Sequence, residues 1–223
     1  MKNVFKLFGI IAIVTVIGFS ISCGGESDKD GGNNAIKGNT ITSELEVIYA
    51  PNIGNLSEAK SATDFGYYYH RDEENDTKPL SYFFDGSPSV TVKNSKLTMI
   101  LGTPKSAYLK NIFDYWSESI TVNPSNVKGF QIGNFCTSDK KYSLICMKST
   151  TTYTASCYLF YVDRDVTLNS TDHNTTWNTS LKEGWNYLSA SYNENRVTYT
   201  SSTNNVKWYV FDNNAGEEII DER

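Results

Sequence analysis

"KYSLICMKSTTTYTASCYLFYV", residues 141–162, decides the fold. Two runs rich in apolar and aromatic residues, 141–148 and 155–162, flank the polar stretch Ser149–Tyr153. Rings and β-branched residues suit strands, and a short polar segment between two such runs suits a hairpin turn. If Ser149–Tyr153 is that turn, Cys146 and Cys157 lie nearly opposite each other, which makes them the candidate disulfide. Cys136 is then left over, and the other reading keeps all three as small buried hydrophobes.

The same texture extends both ways from the hairpin. Towards the C-terminus follow "DVTLN", "WNTSLK", "WNYLSASY", "RVTYTS" and "VKWYVF". Towards the N-terminus lie "SELEVIYA", "FGYYYH", "LSYFF", "SVTVK", "KLTMIL", "SITV" and "GFQIGNF". Turn residues such as Asp85-Gly86 and Lys93-Asn94-Ser95 separate them. About a dozen strands at a spacing of about 8–12 residues argue for an all-β domain. We read it as a single antiparallel β-sandwich or a partly closed barrel over residues 41–211, followed by a polar acidic tail at 212–223. One short helix is expected near 105–117, where Ala107, Ile112, Tyr115 and Trp116 could share a face.

The N-terminus has a different composition. Lys2 and Lys6 precede "LFGIIAIVTVIGF", residues 7–19, which carries no charge. An apolar run of about 13 residues is short of the roughly 20 a transmembrane helix needs, and fits a secretory signal. Ser20-Ile21-Ser22 leads from it to Cys23. This border resembles a bacterial lipoprotein signal. The resemblance implies a signal peptide at 1–22, cleavage before Cys23, and acylation of Cys23, palmitate being one such chain. A single acyl chain binds reversibly, whereas two or more anchor durably. Gly24 stands where the enteric inner-membrane retention signal has Asp, which points to the outer membrane. Residues 23–40 are rich in glycine and polar side chains and read as the lipidated Cys with a flexible tether.

A wider resemblance joins this leader to the C-terminal half. Tyr161-Val162-Asp163, Leu181-Lys182-Glu183-Gly184-Trp185-Asn186 and Lys207-Trp208-Tyr209 are similar to a series recurring in uncharacterised lipoproteins of treponemes, a group of spirochaetes. The resemblance covers residues 1–23 and 155–211. It implies a cell-envelope location and a β fold, and brings no activity, cofactor or catalytic residue.

Chemistry-bearing motifs are sparse. The full chain has a formal net charge of −5, and loses two lysines with the leader. No basic field exists to draw in nucleic acid. His70 and His173 are the two histidines, and both read as loop residues. Two carboxylates for a glycosidase-type reaction could come from anywhere in the chain. Asp163 and Asp165 share a strand face by parity and, with nearby Asn and backbone oxygens, could bind calcium, but a turn explains them better. Asn55, Asn75, Asn169, Asn174 and Asn178 begin N-x-S/T triplets, which turn and strand chemistry explains. Of Trp116, Trp177, Trp185 and Trp208, the pair Trp177 and Trp185 is the candidate exposed aromatic contact patch; otherwise they plug the ends of the core.

The reading is therefore a lipid-anchored envelope lipoprotein without enzymatic activity, metal or cofactor. It binds a protein or glycan partner or presents a surface. The alternatives are a carboxylate-dependent enzyme acting on glycans or peptides, and a calycin-like barrel that carries a small apolar ligand.

Overall fold

The computed structural model describes residues 34–37, 40–51, 53–69, 77–112, 120–149, 154–170, 175–193, 196–201 and 206–213. Residues 1–33, Cys23 among them, and 214–223 lie outside these, and with them the stretch read as signal peptide and most of those read as tether and tail. The chain is all-β. It opens with β1 (Asn34–Lys37), β2 (Thr40–Glu46), β3 (Ile48–Tyr49), α1 (Leu56–Ser61), β4 (Tyr67–Tyr69) and β5 (Thr77–Pro79). Next come α2 (Leu80–Phe83), β6 (Ser89–Lys93), β7 (Lys96–Ile100), one 3-10 turn (Ser106–Tyr108) and β8 (Lys110–Asn111). The middle is β9 (Ile120–Asn123), β10 (Lys128–Ile132), β11 (Asn134–Cys136), β12 (Tyr142–Ser149) and β13 (Thr154–Val162). The last strands are β14 (Val166–Ser170), β15 (Thr175–Leu181), β16 (Gly184–Asn193), β17 (Arg196–Thr200) and β18 (Val206–Asp212).

Two sheets form. The small one has four strands in the order β1-β2-β7-β6, and the large one has fourteen. The large sheet does not close into a barrel. Nor is it purely antiparallel: β15 runs parallel to β17, and β3 parallel to β18. The strand read as "SELEVIYA" is divided between the two sheets. β2 pairs with β7, the Val47 amide donates to the Ser95 carbonyl at 2.7 Å, and β3 then joins β18. β1 lies within the stretch read as tether, so regular structure begins ahead of Ile41. At the other end β18 includes Asp212, and Asn213 donates from its backbone to the Lys141 carbonyl at 2.9 Å.

The hairpin of residues 141–162 is the centre of the large sheet. β12 and β13 pair only near their turn, through Met147↔Ser156, Lys148↔Ala155 and Ser149↔Thr154. Beyond that the sheet forks. β12 takes β11 on the freed edge, and β13 takes β10. β10 and β11 are joined through Gly133 and enter the fork as a wedge, with Ile132 opposite Leu159 and Asn134 opposite Ile145.

The fork creates two cores. The larger holds Val90, Val92, Leu97 and Met99 of the small sheet together with Leu144, Leu159, Tyr187 and Trp208. The smaller lies on the other side of β13 and β16, where Phe160, Val162 and Leu188 meet Val166, Leu168, Trp177 and Leu181. β13 therefore buries both faces, which is why "CYLFYV" is a continuous apolar run rather than an alternating one. The architecture remains sandwich-like, with a second core added.

The helix expected near 105–117 is not formed in its described part. Residues 106–108 make one 3-10 turn and β8 follows; 113–119 lie outside the described residues. Helix appears instead in "LSYFF", read as a strand. Leu80 and Phe83, three apart, are the buried residues of α2, and Pro79 precedes them with φ −61°. That spacing is helical, and proline's fixed φ suits a helix start.

Candidate functional site

Trp177 and Trp185 are core residues. Their relative exposures are 3% and 5%, so they form no contact patch. Trp177 stacks on Tyr199 of β17, with ring centroids 3.7 Å apart and planes 7° from parallel. Trp185 meets Phe84 and Tyr161 edge-on at 5.7 and 5.5 Å, and its indole N–H donates to the Gly102 carbonyl at 3.0 Å. Strand register places both rings inward. A large ring at a strand end is drawn into the core whenever a partner layer covers it, because burying it removes a large apolar area from water.

Asp163 and Asp165 belong to turns. Asp163 accepts from the Lys128 amide at 3.0 Å and pairs with Arg164 at 3.3 Å. Asp165 accepts from Lys182 Nζ at 2.7 Å and from the Glu183 amide at 2.9 Å. The Lys182 ammonium, followed by that amide, holds its carboxyl below the ordinary carboxylate range. The Leu181–Asn186 motif has a structural explanation too. Asn186 accepts from the Lys182 amide at 3.0 Å and donates to the carbonyls of Lys182 and Gly184 at 2.7 and 2.9 Å. Gly184 takes φ +97°, a left-handed conformation that favours glycine. Asn186 thus staples the turn that Asp165 clips from outside.

Of the triplet asparagines, Asn55 caps α1 by accepting from the Glu58 amide at 3.1 Å, and Asn169 sits opposite Asn178 across β14 and β15. Trp208 is buried. Cys136, Cys146 and Cys157 are buried free thiols. Cys23, His70, Asn75, Trp116, His173 and Asn174 lie outside the described residues. Among the described residues, no three His, Cys, Asp or Glu side chains converge to hold a metal ion.

Among the described residues, an exposed large aromatic ring stands instead at the α2 corner. Tyr82 is 42% exposed. Its ring lies 5.5 Å from Tyr108 at 44° and 5.0 Å from Phe83 at 80°. Lys78 Nζ sits 5.5 Å from the Tyr82 ring centroid, close enough for a cation–π contact. Lys105 Nζ donates to the carbonyls of Ser81 and Tyr82 at 2.8 and 3.0 Å. An ammonium at a helix C-terminus satisfies carbonyls that have no partner inside the helix. The corner is therefore a braced pair of tyrosines with two lysines beside it. Reading residues 80–84 with a strand period hid it; the Pro79 start and the Leu80–Phe83 spacing were the available signal.

No known protein family, no curated protein and no solved structure matches the chain.

Proposed function

We propose that this chain is an exported lipoprotein of the bacterial cell envelope, held at the outer membrane through acyl chains on Cys23. Its all-β domain is a non-enzymatic binding module for a protein or glycan partner. The border at Cys23 carries the anchoring: an uncharged run after two lysines, small residues, a cysteine, then a polar glycine-rich stretch. The resemblance to treponeme lipoproteins supports the same compartment. The binding assignment draws support from where the polar chemistry is spent. Asp163 and Asp165 are engaged in turn bonds, whereas the α2 corner presents the exposed Tyr82 ring against the half-buried Tyr108, with the Lys78 ammonium over the Tyr82 ring. Such a corner suits a flat, partly apolar partner face bearing an acidic group, as on an acidic sugar or a carboxylate-bearing peptide.

Detergent phase partition tests the anchor. The wild-type chain, expressed with its leader, should enter the detergent phase, and Cys23→Ala should move to the aqueous phase. Wild type in the aqueous phase would end the lipoprotein reading. Binding of the soluble domain to acidic glycans and to envelope proteins tests the corner. A partner that binds wild type and Tyr82→Ala/Tyr108→Ala equally would remove it from consideration.

A further inference from the structure

We propose that Cys146 and Cys157 are a disulfide-forming pair that fastens the root of the fork in the large sheet. The register sets the pair. Met147 lies opposite Ser156, and antiparallel pairing makes Cys146 and Cys157 the next rung, the one at which β12 and β13 part. Neighbouring strands give the same row: Trp208 is opposite Cys146, and Ser189 opposite Cys157. Residues facing each other in antiparallel strands have Cα atoms about 4.5–5.5 Å apart, inside the roughly 4.4–6.8 Å span of a disulfide. Both side chains point into the larger core and are buried.

Cys136 does not compete for either partner. It lies opposite Ser143 and Tyr67. Three residues along β12 separate Ser143 from Cys146, about 10 Å of strand, which is beyond the roughly 7 Å Cα limit for bridging.

Polar side-chain groups beside the pair include the Tyr187 hydroxyl and the Trp208 indole. Tyr187 and Trp208 close over the row edge-on, centroids 6.5 Å apart. The Tyr187 hydroxyl and the Trp208 indole N–H are both buried without a hydrogen bond. Burial, then contact with the Cys157 thiol, pushes the Cys146 thiol well above its usual range. The folded Cys146 thiol thus resists ionisation and both thiols are shielded by burial, and only a thiolate with access to a disulfide attacks it. Exchange therefore takes place before the hairpin docks into the core. One cysteine thiolate attacks a small-molecule or enzyme disulfide, forming a mixed disulfide and releasing one thiol. The second cysteine, as its thiolate, then attacks the protein sulfur of that mixed disulfide and expels the other thiol. The protein loses two electrons and two protons, and the disulfide reagent gains them. The inference rests on the register and holds in any oxidising compartment, whether or not Cys23 is acylated.

The test is refolding of the reduced, unfolded full chain in a buffer of reduced and oxidised glutathione. Acid trapping, alkylation, digestion and mass spectrometry then map every cysteine. The expected result is a Cys146–Cys157 linked peptide with Cys23 and Cys136 alkylated. Cys136→Ser should keep the link, and Cys157→Ser should lose it. Alkylated Cys146 and Cys157 in the refolded wild type, or Cys136 joined to either of them, would overturn the proposal. The urea midpoint of the oxidised wild type should fall when reductant is added; an unchanged midpoint would overturn the fastening role.

Discussion

Gly102 and Gly184 both adopt left-handed backbone, at φ +54° and +97°, yet their surroundings differ. A Cβ on Gly184 meets nothing within 4 Å, so Gly184→Ala should cost only the conformational strain, about 1–2 kcal/mol. A Cβ on Gly102 would stand 2.1 Å from the Asp85 carbonyl oxygen, a backbone atom held by Asp85 donating to the Thr103 carbonyl at 2.9 Å. Gly102→Ala should therefore cost more than about 3 kcal/mol, since clash adds to strain. Urea unfolding of the two variants checks the order, and equal losses would show that the Asp85 segment yields. Gly102 also presents the carbonyl that accepts from Trp185. The sequence marked Trp185 as a large ring at a strand start. It did not mark Gly102, because that partner lies 83 residues away in the chain. Local patterns register what a residue prefers, and a close approach between distant segments leaves no such trace.

At the level of strands and turns, the second core depends on one stack. Trp177 and Tyr199 sit opposite each other across the parallel β15–β17 pair and face each other at 3.7 Å. Trp177→Ala should cost about 3–5 kcal/mol. Hydrogen exchange should show the loss first in β14, β15 and β17, with β6 and β7 protected; uniform loss would mean that the two cores unfold together. The turns bring a dependence on pH. The Thr137 hydroxyl, followed by the Lys141 amide, holds Asp139 below the ordinary carboxylate range, as Lys182 does for Asp165. A carboxyl with a depressed folded-state pKa stabilises fully above its unfolded value, about 3.9. That contribution is lost as pH falls through the lower folded value. Both groups are exposed, so screening by solvent keeps the effect small. The urea midpoint of wild type should fall more steeply below pH about 4 than that of Asp165→Asn. Parallel curves would show that the clip between the two turns contributes nothing. Both turns are legible in the sequence, one as Asp163-Arg164-Asp165 and the other as Glu183-Gly184 ahead of a strand. The ion pair is not, because Asp165 and Lys182 meet only once β14 and β15 have paired.

For the whole molecule, the proposed lipoprotein reading entails export, acylation at Cys23 and folding of the all-β chain beyond it. Protease shaving of intact cells, with a periplasmic protein as control, reads whether the domain is reachable from outside the cell. Loss of the domain in whole cells would place the Tyr82–Tyr108 corner in reach of external partners; protection would direct the search to periplasmic ones. The sequence by itself determined the all-β class, the 141–162 hairpin with Cys146 and Cys157 nearly opposite, and the sparseness of catalytic motifs. Each follows from short-range properties: strand propensity, alternation and turn chemistry. Only the tertiary structure decided the exact register, and that the sheet forks at that hairpin and carries two parallel pairs. It also turned "LSYFF" into a helix, and it buried Trp177 and Trp185 while leaving Tyr82 exposed. The physical reason is that burial belongs to the layer lying opposite a residue. The layers covering these indoles come from segments far away in the chain, and their meeting is set by the packing of the whole apolar surface.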